Sequence, residues 1–192
     1  MAADYLARKD VQSRNRPVSA LGRPSPRECT RLHSRPDLVW GRSGEKARSL
    51  AAALVGRGLP AEPCEDIESG FRLADEVSSV TAPTKPIVRG GWLRERSHLD
   101  LIGAFKPEMR ESDTAAITGA RVLVDGRAGA ILAGDLAQPI AEGAFFVEDI
   151  VADLTELAQG HPGRRNEDNR TVFKSAGLSQ EDLAAAMKVV RR

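Results

Sequence analysis

The feature that most constrains this chain is an alternation that begins at Asp37. Short apolar runs are each followed by a turn and then by text with helical spacing. Asp37–Trp40 (DLVW) is the first such run. Behind it, residues 44–57 carry Ala47, Leu50, Ala51 and Leu54 at i, i+3, i+4 and i+7, the stripe of an amphipathic helix, and Gly56 and Gly58 end it. Residues 61–64 read as a strand and 67–74 as a short helix. Residues 76–81 read as a strand stopped by Pro83, and 99–103 and 121–124 as two more strands. Helices are expected over 113–117, 128–132 and 146–159. A last helix covers 180–191, with Ser179 as its N-cap and Glu181 and Asp182 in its first turn. Two parallel strands need a crossover, and a helix supplies it, so the alternation predicts an α/β fold with a parallel sheet. Such sheets bind ligands outside the carboxyl ends of their strands.

Composition narrows the partners. Aromatic residues make up 4% of the chain, so the core has to be built from Ala, Val, Leu and Ile. A net charge of +1 gives no electrostatic reason to expect nucleic acid or an acidic membrane. No apolar run is long enough to span a bilayer, and the first residues carry no apolar signal core, so a cytoplasmic location is expected. Cys29 and Cys64 fit no metal or redox spacing and read as reduced thiols.

The candidate site residues stand where strands end. Trp40-Gly41-Arg42-Ser43 lies between a strand and a helix. In a dinucleotide-binding fold the end of the second strand faces the adenosine ribose. A carboxylate there takes the 2′-hydroxyl of NAD, and an arginine suits the 2′-phosphate of NADP. Arg42 is a planar cation and Ser43 a small donor, with no acid before them, so NADP(H) is the expected cofactor and NAD(H) the alternative. Taken alone, the two also read as a solvated loop arginine and a helix N-cap serine. Thr81, Ala82 and Pro83 close another strand with small residues that admit a cofactor to the backbone, or simply exit the sheet. Gly103 closes a third strand ahead of Phe105 and Lys106, the latter read as a surface charge, while His98 reads as structural. Residues 171–177 place a backbone amide or hydroxyl near a nicotinamide, or form a plain strand and turn. The histidines are scattered, with no metal-binding HExxH, and there is no Gly-x-Ser-x-Gly elbow. A Gly-rich phosphate loop is also absent from the text.

In order, VWGRSGEKA, SSVTAPTKPIV, GGWL with HLDLIGAFKPEMRESD, RVLVDGRAGAILAGDL, ADLTELAQGHPGR and TVFKSAGLSQEDLAAA resemble the ornithine cyclodeaminase/μ-crystallin family, over residues 36–192. The resemblance implies a homodimer with a Rossmann domain for NAD(P)H and a second domain for substrate and dimerisation. It implies activities from ornithine cyclisation with ammonia loss to reduction of ketimines and pyrroline-2-carboxylate, and alanine dehydrogenation. It puts Arg42 and Ser43 at the adenosine phosphate, Thr81, Ala82 and Pro83 beside the cofactor, and Phe105 and Ser175 near the nicotinamide. It assigns no catalytic residue. In cyclodeaminases an aspartate stands where this chain has Phe105 and acts on the substrate amine; a phenyl ring cannot move a proton. The resemblance therefore points to an NAD(P)H-dependent imine reductase acting on a small imine or amino acid. The alternatives are an ornithine cyclodeaminase and a non-catalytic binding remnant.

The expected organisation has three parts. Residues 1–35 are an N-terminal remnant, with a family-like helix over 2–11 and an irregular stretch over 12–35. Residues 36–160 form the NAD(P)-binding domain, and 161–192 return to the substrate and dimerisation domain. The stretch 12–35 is rich in Arg, Pro and Ser and lacks periodicity, which suits a GC-rich gene translated out of frame. The expected fold is thus a partial Rossmann-type parallel sheet with helices on both faces and a C-terminal helical return. It would lack its first strand and the first hundred or so residues of the family, so little activity is expected.

Overall fold

A computed structural model describes residues 17–20, 36–166 and 168–190. The alternation folds as its spacing demands. Strands β1 (Pro17–Ala20), β2 (Asp37–Trp40), β3 (Ala61–Pro63), β4 (Glu76–Ser79), β5 (His98–Leu101), β6 (Arg121–Val124), β7 (Ile150–Asp153) and β8 (Thr171–Lys174) form one parallel sheet in the order β3-β2-β1-β4-β5-β8-β6-β7. The chain moves outward one way through β1, β2 and β3, then returns to start β4 on the other side of β1. That reversal leaves a crevice at the carboxyl ends of the strands beside β1.

Side chains alternate across the sheet and give it two covered faces. Leu38, Val77, Leu99, Leu101, Val122, Val124 and Val172 meet Phe71 of α2 (Ile67–Leu73), Ala116 and Ile117 of α3 (Thr114–Thr118) and Leu136 of α5 (Gly134–Ala141). On the other face, Val39 packs with Ala47, Ala51 and Leu54 of α1 (Gly44–Val55), and Leu123 and Phe173 pack with Leu157 of α6 (Leu154–Ala158). Between β6 and α5 lies the single turn α4 (Arg127–Ala130). Finally α7 (Ser179–Val190) has no buried residue, and Leu183, Met187 and Val190 stand exposed along it.

The structure corrects four expectations. First, Pro17–Ala20 is a strand paired on both edges, Val18 facing Leu38 of β2 and Val77 of β4, so the sheet has a member where none was expected. A strand held between two neighbours draws its bonds from the backbone and needs no apolar run to announce it, and Pro17 stands at the first position, where a missing N–H is tolerated. The expected helix over 2–11 and the rest of 12–35, Cys29 included, lie outside the described residues. Second, 146–159 is not one helix: its middle is β7. Asp153 caps α6, its Oδ1 accepting from Glu156 N at 3.0 Å, while Asp153 N donates to Glu156 Oε2 at 2.8 Å. This reciprocal cap starts a helix at Leu154 and forbids one before it, although Val147, Ile150, Val151 and Leu154 have helical spacing. Third, a domain boundary after residue 160 cuts the sheet, because β8 is inserted between β5 and β6, with Lys174 opposite both Leu101 and Val124. Fourth, Ser179 is the first helical residue of α7 rather than its cap; Glu181 N bonds to Leu178 O at 3.0 Å.

Candidate functional site

Helix α1 positions the first wall of the crevice. Ser43 ends the extended segment, and its Oγ accepts from Lys46 N at 3.3 Å, so this serine is the N-cap. The cap turns Arg42 outward at the tip of β2. The second wall is the exit from β4, where Val80, Thr81, Ala82 and Pro83 face across to Trp40, Gly41, Arg42, Ser43 and Lys46. The cleft between them has a volume of about 640 Å³. Its described lining holds two cations, Arg42 and Lys46, and no acid. A smaller cleft of about 300 Å³ adjoins it behind Arg42, lined by Arg48, Pro63 and Cys64 among others. Burial and the neighbouring carboxylate of Asp66 push the Cys64 thiol up from its usual 9.0, which makes it a poor nucleophile.

The structure therefore gathers Arg42, Ser43, Thr81, Ala82 and Pro83 around one cavity. Phe105 and Ser175 lie farther along the same edge, beyond β5 and β8, and do not line that cleft. Phe105 is 57% exposed, with Lys106 Nζ 5.8 Å from its ring centre. Ser175 Oγ donates to Asp125 Oδ2 at 3.0 Å.

Beneath this edge lies a set of buried charges that sequence reasoning missed. Glu111 is fully buried. Its Oε1 accepts from Ser79 Oγ (2.6 Å), Thr81 N (2.7 Å) and Thr81 Oγ1 (2.9 Å), and its Oε2 from Gly103 N (2.7 Å) and Ala104 N (3.2 Å). Asp125, at the tip of β6, accepts from Gly126 N, Ser175 Oγ, Ala176 N and Gly177 N. Asp135 accepts from Glu111 N (2.8 Å) and Ser112 N (2.9 Å) with one oxygen, and its other oxygen lies 3.2 Å from Lys174 Nζ. Lys174 Nζ also donates to Leu101 O at 3.2 Å, and both members of this ion pair are fully buried. The chemistry of the set is that of fixation: Glu111 and Asp125 collect amides from chain turning out of strands, Asp135 holds the Glu111–Ser112 backbone, and the strand ends are held to one another. One signal was legible. Asp125 follows RVLV directly, at the tip of a read strand. Glu111, Asp135 and Lys174 give none, because a charge in a loop or at a strand end reads as solvated.

The model of the ornithine cyclodeaminase/mu-crystallin family matches residues 37–192 of this chain. A Delta(1)-pyrroline-2-carboxylate reductase of Paracoccus denitrificans is 38% identical over 155 residues, which cover 80% of this chain and 49% of that protein. Ketimine reductase mu-crystallin of Mus musculus is 34% identical over 152 residues, covering 79% and 45%. Among solved structures, the Thermococcus litoralis Delta(1)-pyrroline-2-carboxylate reductase in complex with NADH and L-proline matches with a TM-score of 0.88 and 28% identity, covering 97% of this chain and 59% of that one. This chain spans about half the length of the curated relatives it matches.

Proposed function

The chain belongs to the ornithine cyclodeaminase/mu-crystallin family, and from that premise we propose that it carries the dinucleotide-binding half of an imine reductase. The substrate class is a ketimine or a pyrroline carboxylate, and the preferred cofactor is NADP(H). When bound, the reduced nicotinamide supplies a hydride to the imine carbon. The observation that carries this reading is the cleft between Trp40–Ser43 and Val80–Pro83 at the reversal point of the sheet.

The residues fit such a cofactor on chemical grounds. Arg42 and Lys46 line the cleft with no acid among its described lining residues, and Arg48 lies over Gly44, its guanidinium about 3.4 Å from where a Cβ there would stand. Cations are disfavoured at a helix N-terminus, whose dipole is positive. Glu45 stands in the same first turn and Glu65 lines the adjoining cleft, but neither is among the described residues lining the larger cleft, where an anion would suit Arg42 and Lys46. A 2′-phosphate supplies one, with Arg42 as its planar partner and Ser43 at the rim. Thr81, Ala82 and Pro83 flank the cofactor, and Phe105 and Ser175 stand toward the nicotinamide. Phe105 offers no proton-moving group, which supports reduction over cyclodeamination. The same reading includes a homodimer, supported by the exposed apolar stripe of α7 and read out by sedimentation.

The test is a fluorescence titration of the chain with NADPH and with NADH, followed by assay on pyrroline-2-carboxylate and on ornithine. NADPH is expected to bind at least about tenfold tighter, the worth of one charge-assisted contact, and Arg42→Ala to remove the difference. Equal affinities, or a preference for NADH, would overturn the NADP(H) assignment. Proline and ammonia formed from ornithine would overturn the reductase reading, and no binding of either nucleotide would leave a remnant without the cofactor function.

A further inference from the structure

We propose that Glu111 is a positioning residue that sets the gap between the two loops flanking the cofactor, a role that rests on reading the cleft as the nucleotide's. Glu111 is not among the described residues lining the cleft. It acts through the loops that leave β4 and β5, and its two oxygens divide between them. Oε1 serves Ser79 and Thr81 on the β4 side, and Oε2 serves Gly103 and Ala104 on the β5 side.

A buried carboxylate is costly unless its lone pairs are met, and five donors meet these. An apolar side chain would fill the same volume but would leave Thr81 N, Gly103 N and Ala104 N to find other acceptors, with nothing to hold the two loops in common.

A second observation points to the same junction independently. A Cβ on Gly103 would stand 1.7 Å from Thr81 O and 2.3 Å from Thr81 N, so the two loops touch backbone to backbone. Any side chain at Gly103 would force them apart. The carboxylate itself is anchored from behind. Glu111 N donates to Asp135 Oδ1, and Asp135 pairs with the buried Lys174 at the end of β8. One rigid chain of charges thus runs from β8 to the wall formed by Thr81, Ala82 and Pro83. Phe105 leaves the sheet next to Ala104, so its place relative to that wall depends on the same carboxylate.

The experiment compares Glu111→Gln with Leu123→Ala in the full chain. Glutamine keeps the shape, but only one of its end atoms accepts, so its NH₂ faces the donors of one loop. Leu123 lies on β6 in the cluster on the other face, and its truncation lowers stability without touching the junction. Two quantities are read: the NADPH dissociation constant, and amide hydrogen exchange at Thr81, Gly103 and Ala104 without nucleotide. Glu111→Gln is expected to weaken NADPH binding at least about tenfold and to speed exchange in both loops together. Leu123→Ala should leave the constant within about twofold. If Glu111→Gln does not fold, Ser79→Ala removes one donor from outside the cleft and is expected to weaken binding about threefold. Either junction variant behaving as Leu123→Ala does, in binding and in exchange, would overturn the role. A wild-type chain that binds no NADPH sinks the cofactor reading instead, and exchange in the two loops then decides by itself whether Glu111 holds them.

Discussion

The two ends of the sheet are built from opposite chemistry. At the carboxyl ends, Glu111, Asp125 and Asp135 collect backbone N–H groups. At the amino ends, arginines collect backbone carbonyls. Arg121 donates to Gly163 O (2.8 Å) and Pro162 O (3.3 Å), Arg170 to Leu93 O (2.6 Å) and Arg94 O (3.3 Å), and Arg164 to Arg96 O and Asn169 O. The βα connection explains the polarity: the chain leaves strands toward helix N-termini, with unpaired N–H groups, and re-enters strands from helix C-termini, with unpaired carbonyls. Burial separates the two ends. The three acids are at most 2% exposed, whereas Arg121 and Arg170 are half-buried, their guanidiniums held below the usual arginine range by partial desolvation. A cleft of about 450 Å³ opens at the amino end, so size does not distinguish the ends. What distinguishes the carboxyl end is that its walls are fixed from beneath by groups that water does not reach.

Lys174→Met leaves Asp135 without its cation in the core, and is expected to cost about 3–5 kcal/mol in urea unfolding. A loss no larger than that of a surface ion pair would show that the carboxyl end is not held together by this buried pair.

Arg170→Met probes the other end. One of its two carbonyl partners, Arg94 O, is held in an exposed bond and the other, Leu93 O, in a part-buried one, so the expected cost is about 1 kcal/mol, with NADPH affinity unchanged. A fall in affinity matching that of Glu111→Gln would erase the distinction between the ends.

The smallest effect separates burial from hydrogen bonding. Glu156 stands at the carboxyl end of β7, accepting from Asp153 N and Arg127, which hold its carboxyl below the usual 4.5, yet it is only half-buried, its side chain 42% exposed. A carboxyl depressed on folding contributes stability above its unfolded value, and loses that contribution as pH falls through the folded one. The melting temperature of the wild type should therefore drop below about pH 4.5, and Glu156→Gln should shallow that drop only slightly. A drop abolished by this one substitution would mean that partial exposure does not weaken these carboxylates.

Legibility followed the same division. Asp37–Trp40, Glu76–Ser79, His98–Leu101 and Arg121–Val124 were readable within a residue or two, because each is a short strand-like segment bounded by turn residues in a regular alternation with helical text. Pro17–Ala20 was not, since PVSA stands in a stretch rich in Arg, Pro and Ser that has no periodicity of its own. Ile150–Asp153 hid in helical spacing until its cap declared the boundary. Helix α5 was unread because Gly134 and Pro139 argue against a helix; Gly134 is there because a Cβ would lie 2.0 Å from Met109 O. That Arg42, Ser43, Thr81, Ala82 and Pro83 line one cleft was legible because each follows a legible strand.

The sequence by itself determined the class of the fold, the strand tips that face the cleft, and the family. Those properties live in local periodicity and in short ordered strings, which survive in one dimension. The tertiary structure alone decided that β8 enters between β5 and β6, that Glu111 holds two loops, and that Lys174 is paired rather than solvated. The physical reason is that a charge's cost and role depend on how much water its surroundings leave it. Glu111 and its donors are separated by as many as 32 positions along the chain, and only the folded sheet brings them together without water.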